Sequence, residues 1–143
     1  MMKVSARNAF EGSISAIEPG AVNAEVTIKS KGGDSIVAIV TAGSVKSLGL
    51  AVGKPVTALV KAPWVMLAAE NSKLRFSARN QLKGTVSLLE KGGVNSEVGI
   101  KLPGGSEVFA VVTNDAVTEL GLALGKSATA IIKASHVILG VPA

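Results

Sequence analysis

The sequence predicts an all-β (mainly β) protein made of two similar small barrels in tandem, each of five strands with one short helix between strands 3 and 4. Three observations predict it. Runs rich in Val, Ile and Thr and broken by glycine favour short strands over helices. The second half repeats the first at a spacing of 72 residues. Each copy's strand-like runs are interrupted once by a helical pattern.

The elements follow in order. Residues 10–17 alternate weakly and read as a first strand. Residues 24–29 alternate cleanly, with Val26 and Ile28 on one face. Lys31-Gly32-Gly33-Asp34 is a turn, so a hairpin leads into a nearly continuous apolar strand over residues 35–40. The helix is clearest in the second copy, over residues 113–121, where Thr113 or Asn114 caps the start and Gly121 the end. Residues 55–61 form a fourth strand and residues 65–67 a short fifth. Three strands, a helix and two strands is the element order of an OB-fold-like barrel. The expected domains are 1–70 and 71–143, joined by a short link that is not rich in Gly or Ser.

The repeat runs without a gap from Ser5 to Ala68, with about half of the aligned positions identical. Its most distinctive element is the tetrad Ser5-Ala6-Arg7-Asn8, which returns unchanged as Ser77-Ala78-Arg79-Asn80. A copy of this size has a thin core, and aromatic residues to fill it are few, so subunit association is expected to supply further burial.

Several function classes are excluded or disfavoured. Cysteine is absent, which removes disulfides, thiolate nucleophiles and zinc–cysteine sites, and His136 is the only histidine. No apolar run is long enough to span a membrane, and the first residues lack the apolar core of a signal peptide, so the cytoplasm is the expected location. Gly121-Leu122-Ala123-Leu124-Gly125-Lys126-Ser127 imitates a phosphate loop, but has three residues between its glycines where four are required, and it precedes a strand. The carboxylates kept in both copies, Glu18/Glu90 and Glu25/Glu97, have no apolar cleft to make them acids or bases. No enzymatic activity is expected.

The duplication also shows which cations both copies keep: Arg7/Arg79, Lys29/Lys101, Lys54/Lys126 and Lys61/Lys133. Lys29 and Lys101 end strands on the polar phase and read as solvated. Arg7 and Lys61 each border a run of small residues, Ser-Ala-Arg-Asn and Lys-Ala-Pro (Lys-Ala-Ser in the second copy). Small side chains let backbone N–H groups approach a ligand. With a guanidinium, an ammonium and a hydroxyl, this set suits a compact oxyanion, and the net charge of +5 favours an anionic partner. The competing reading pairs Arg7 with a carboxylate such as Glu11 or Glu18.

Four ordered motifs carry a resemblance. They are Ser77-Ala78-Arg79-Asn80-Gln81-Leu82-Lys83-Gly84, Val112-Thr113-Asn114-Asp115-Ala116-Val117, Leu120-Gly121-Leu122 and Ile132-Lys133-Ala134-Ser135. Together they resemble the Mop family of molybdate-binding domains, and two copies with little else resemble the di-Mop molbindins. The resemblance implies an OB-like barrel per copy, assembly as a homotrimer, and molybdate or tungstate bound between subunits without an organic cofactor. It places the principal site at Ser5, Ala6 and Arg7 with Lys61 and Ala62, and at Ser77, Ala78 and Arg79 with Lys133, Ala134 and Ser135. A further kind of site near the symmetry axis is implied at Gly20, Val22 and Asn23 and at Gly92, Val94 and Asn95. The implied role is storage and homeostasis of molybdenum in the cytoplasm.

The first copy departs from the pattern at Ala9-Phe10, at Ala42-Gly43 and at Pro63, which supplies neither a hydroxyl nor an N–H. The expectation is therefore either unequal anion binding by the two copies or a mixed site that takes its arginine from one copy and its lysine from the other. Two rival readings remain. An OB-type nucleic-acid binder is disfavoured because single-strand binding uses aromatic stacking platforms, and this chain has four aromatic residues. A sensor or accessory module would need a partner protein, because no residues remain here for a DNA-binding or ATPase domain.

Overall fold

The structure is a computed structural model that describes residues 4–143. The first copy forms β1 (Asn8–Pro19), β2 (Asn23–Ser30), β3 (Ser35–Thr41), α1 (Ala42–Leu48), β4 (Pro55–Val60), a 3₁₀ turn (Ala62–Trp64) and β5 (Met66–Ala69). The second forms β6 (Asn80–Lys91), β7 (Asn95–Lys101), β8 (Glu107–Thr113), α2 (Asn114–Leu120), β9 (Ser127–Ile132), a second 3₁₀ turn (Ala134–His136) and β10 (Ile138–Gly140). This is the expected element order, with the first strand longer at both ends than its weak alternation suggested.

Local chemistry explains the boundaries. Both helices begin at a threonine whose hydroxyl accepts an N–H from the first turn: Thr41 from Ser44 at 3.0 Å and Thr113 from Ala116 at 3.1 Å. Thr113 rather than Asn114 is thus the cap of α2. Both helices end at a glycine in the left-handed region, Gly49 at φ 61 and Gly121 at φ 63, whose N–H returns to the last-turn carbonyls. In strands β2, β3 and β4, alternate residues are buried, so Val26, Ile28, Ile36, Ala38, Val56, Ala58 and Val60 fill one interior. Their second-copy counterparts fill the other, with Ile131 buried as well.

The first strand of each copy is long because it serves two neighbours. β1 pairs with β4 from Asn8 to Ser13 and with β2 from Gly12 to Pro19, with a bulge at Ser15. β6 does the same with β9 and β7, with its bulge at Ser87. Bulges and glycines bend such a strand so that a sheet can curl.

The fifth strands depart from the expected domain split. β10, from the second copy, pairs antiparallel with β4 of the first, giving the order β10-β4-β1-β2-β3. β5, from the first copy, pairs with β9 of the second, giving β5-β9-β6-β7-β8. The chain accordingly forms two compact units that are not the sequence halves: residues 1–60 with 133–143 (unit 1), and residues 61–132 (unit 2). The physical reason lies in the edges. Ala58 receives Leu139 and Ala130 receives Leu67, so the two edges present equivalent residues and each accepts the other copy's strand.

Candidate functional site

The two tetrads sit just before and at the start of the long strands, and each divides between anchor and display. Asn8 and Asn80 are 1 % exposed, whereas Arg7 and Arg79 are exposed. Successive residues of extended chain point to opposite sides, so burying the asparagine turns the arginine outward. Ser5 and Ser77 are exposed, and Ala6 and Ala78 half-buried. The second tetrad has a brace of its own. Gln81 Nε2 donates to the carbonyls of Phe76 at 3.1 Å and Ala78 at 3.0 Å. The first copy has Ala9 there, with no amide to do so. Glu11, the carboxylate first considered for Arg7, is bonded to Lys31 Nζ at 3.2 Å.

The Lys-Ala segments are the N-termini of the 3₁₀ turns. Lys61 and Lys133 are extended and exposed, and the alanines that follow, Ala62 and Ala134, are 4 % exposed. Burying a methyl beside the lysine fixes where the lysine leaves the surface.

Strand exchange decides which segments share a unit. Unit 1 holds Ser5, Ala6 and Arg7 with Lys133, Ala134 and Ser135. Unit 2 holds Ser77, Ala78 and Arg79 with Lys61 and Ala62. By this division each unit holds the arginine segment of one copy with the 3₁₀ turn of the other, while each lysine stands at the boundary: Lys61 directly follows Val60, which pairs with Asn8, and Lys133 directly follows Ile132, which pairs with Asn80. Register puts the two segments at one end of each sheet. In unit 1, Asn8 pairs with Val60, and Ile138 pairs with Leu59. In unit 2, Asn80 pairs with Ile132, and Met66 with Ile131. The arginine and lysine segments therefore enter strands two positions apart, roughly 10 Å at the usual strand spacing.

The Gly-x-Val-Asn turns lie elsewhere, between the first two strands of each copy. Gly20 and Gly92 are needed for close approach, because a Cβ would meet the Asn23 carbonyl oxygen at 2.5 Å and the Asn95 carbonyl oxygen at 2.7 Å. Val22 and Val94 are each 75 % exposed, and Asn23 and Asn95 are exposed at the strand starts. The second turn is tied from within: Asn114 Nδ2 donates to the Gly92 carbonyl at 3.0 Å, and the buried Ser96 hydroxyl donates to Asn114 Oδ1 at 2.5 Å. In the first copy both partners are alanine, Ala42 and Ala24. Asn114→Ala is expected to cost about 1–2 kcal/mol, because it strands the Ser96 hydroxyl, and Ser96→Ala in the same chain should recover part of the loss. Denaturant unfolding of the two variants checks this.

One cavity joins residues from both expected kinds of site. In unit 1, Asn23, Thr41, Ser44 and Ser135 rim a space of about 330 Å³ floored by apolar residues. The equivalent positions of unit 2 carry Ala116 and Pro63 in place of Ser44 and Ser135. The two units are therefore chemically unequal. A larger groove of about 1090 Å³ in unit 2 runs beside the link and the end of α2 and includes none of the expected site residues.

Other groups find structural employment. Lys54 Nζ donates to the Leu48 carbonyl at 3.3 Å and so closes the end of α1. Gly121 and Gly125 are turn glycines, at φ 63 and φ 86, ahead of β9 rather than a phosphate loop ahead of a helix. Phe10 is 5 % exposed and belongs to the core, so it offers no stacking platform. Among the described residues, no cluster of three or more His, Cys, Asp or Glu side chains is placed to hold a metal ion. No described helix is long and apolar enough to cross a membrane. One feature that sequence patterning missed is Trp64, whose ring lies under the Lys61 ammonium, 5.5 Å from the ring centroid. A tryptophan three residues after a retained lysine was the available signal.

With this geometry established, comparison with known proteins is specific. The TOBE domain model matches residues 4–67 and again 77–139. The molybdenum transport protein ModE of Herbaspirillum seropedicae is 45 % identical over 140 residues, covering 98 % of this chain and 52 % of the relative. The molybdenum-pterin-binding protein MopA of Rhodobacter capsulatus is 43 % identical over 141 residues, covering 99 % of this chain and 53 % of the relative. The chain spans about half the length of these curated relatives. A solved structure of the cytoplasmic molybdate-binding protein ModG, with molybdate bound, is 58 % identical and superposes with a TM-score of 0.94, covering 99 % of this chain and all of that one.

Proposed function

The chain belongs to the TOBE-domain family as a tandem protein of the Mop type, and from that premise we propose that it binds molybdate or tungstate reversibly in the cytoplasm, as a store, without catalysis. The observation that carries this reading is the likeness, over nearly the whole length of both chains, to a protein solved with molybdate bound. The site geometry agrees with it. Each unit presents an arginine segment and a lysine segment at one end of its sheet, both rich in small residues.

The proposed ligands are Ser5, Ala6, Arg7, Lys61 and Ala62, with Ser77, Ala78, Arg79, Lys133, Ala134 and Ser135, completed by a neighbouring subunit. The turns at Gly20, Val22 and Asn23 and at Gly92, Val94 and Asn95 are proposed as a second class of site. A dianion leaving water must recover its lost hydration through hydrogen bonds. Charge-assisted bonds contribute roughly 1.5–3 kcal/mol each, so four or five support micromolar or tighter affinity after ordering costs.

The proposed assembly is a homotrimer. Its support is a set of exposed apolar side chains that recurs at the same positions in both copies: Val22 and Val94, Val52 and Leu124, Met66 and Ile138. Such repeated exposure favours burial against another copy.

Titration calorimetry with molybdate, with sulfate as competitor and native mass spectrometry on the same sample, tests the whole reading. The expected result is saturable molybdate binding that sulfate does not displace, on a particle of three chains. Absence of heat with molybdate would leave the fold and remove the function. A monomer that still binds molybdate would remove the intersubunit site.

A further inference from the structure

We propose that Trp64 is a positioning residue for Lys61: its indole face holds the lysine ammonium in place for the anion, in the copy whose lysine segment lacks a hydroxyl. The inference rests on the oxyanion reading above, which assigns Lys61 to the site.

The geometry is local to one turn. Lys61 caps the 3₁₀ turn Ala62–Trp64 in an extended conformation, with Pro63 inside the turn. The Trp64 backbone N–H donates to the Lys61 carbonyl at 2.9 Å, which closes the turn and sets the two residues three positions apart on it. The ammonium then lies 5.5 Å from the ring centroid. Lys61 is exposed and Trp64 half-buried, so the ring is the more firmly held member of the pair.

An exposed lysine loses rotamer freedom when it grips a ligand, and that ordering cost subtracts from affinity. A cation over an aromatic face is already ordered, and indole is the best such face. The contact leaves ammonium N–H groups directed away from the ring, free to donate to an oxyanion.

The second copy shows what is being replaced. Its turn has the same backbone, with Lys133 extended and the His136 N–H bonded to the Lys133 carbonyl at 2.9 Å. There Ser135 stands where Pro63 does, and His136 where Trp64 does. The second copy has a hydroxyl beside its lysine, and the first has an indole beneath its own.

Trp64 is the only tryptophan, so its emission reports this turn alone. In the full chain, molybdate is expected to change Trp64 emission with the same midpoint as the calorimetric titration. W64L is expected to weaken the affected class of sites by about two- to fivefold, and W64F to restore most of that loss. In a K61M background the W64L change is expected to have no further effect, a coupling that a merely structural tryptophan would not show. Equal affinity of W64L and the parent, failure of W64F to rescue, or an undiminished W64L effect in the K61M background would each overturn the proposal while molybdate binding by the parent stands. No molybdate binding by the parent protein would overturn the oxyanion reading and this proposal with it.

Discussion

Arg79→Ala is expected to weaken molybdate binding at its site by roughly ten- to a hundredfold while leaving thermal unfolding nearly unchanged. The first half follows from the chemistry of the group. A guanidinium that donates to an oxyanion contributes about 1.5–3 kcal/mol, and each 1.4 kcal/mol is about a factor of ten. The second half follows from the position. Arg79 is exposed, while its neighbour Asn80 carries the burial, and a polar or ionic contact made by an exposed side chain contributes about 1 kcal/mol or less. Arg79→Lys should recover only part of the binding, because an ammonium cannot reproduce a planar two-pronged contact. Calorimetry on the three proteins, with melting curves on the same samples, separates the two halves. Unchanged affinity in Arg79→Ala would remove the tetrad from the site. A large loss of melting temperature would show the arginine to be structural instead.

Gly84→Ala is expected to do the opposite, damaging the fold before the site. A Cβ at Gly84 would lie 2.3 Å from the Lys101 carbonyl oxygen and 2.8 Å from Ile100 Cγ2. At Gly12, its counterpart, the Lys29 carbonyl oxygen would be at 2.1 Å. The nearest obstacle in each case is a backbone carbonyl of the neighbouring strand, not a flexible side-chain tip. Both glycines lie where the long strand passes from one partner to the other: Gly12 is paired with Val56 on one side and Ser30 on the other. The strand must bend there, and a side chain would force the strands apart. Such overpacking costs about 3 kcal/mol, which lowers the melting temperature by on the order of 10 °C. Gly43→Ala is the matched control. It makes the same chemical change within α1, where the nearest atom to a new Cβ is 3.9 Å away, and it is expected to stabilise by about 0.5–1 kcal/mol. Differential scanning calorimetry of the two variants decides the point; equal melting temperatures would contradict the packing argument.

These two predictions draw on different layers of information. The bend glycines were visible in the sequence only as identities kept by both copies, and the structure supplied the carbonyl that makes them obligatory. The tetrads were legible as repeated words, but not their division into a buried asparagine and an exposed arginine. That division depends on the phase of the strand relative to the interior, which a weakly alternating run leaves open. The tie of Asn114 to Ser96 joins residues 18 apart, and it became visible only when β7 was brought against the start of α2.

What the sequence determined by itself was local. Alternation set the strands, threonine and glycine set the helix ends, and the 72-residue period set the number of copies. The repeated Ser-Ala-Arg and Lys-Ala words marked the candidate ligands. The tertiary structure alone decided which copy completes which unit. Residues 65–67 and 137–139 are short apolar triplets, and the edges that receive them carry the same Thr-Ala pair, Thr57-Ala58 and Thr129-Ala130. Strand pairing runs through backbone N–H and carbonyl groups that every residue possesses, so the sequence of an edge strand does not name its partner. The path of the chain after β4 and β9 chooses between two nearly equivalent edges, and with that choice it sends each copy's fifth strand to the sheet of the other.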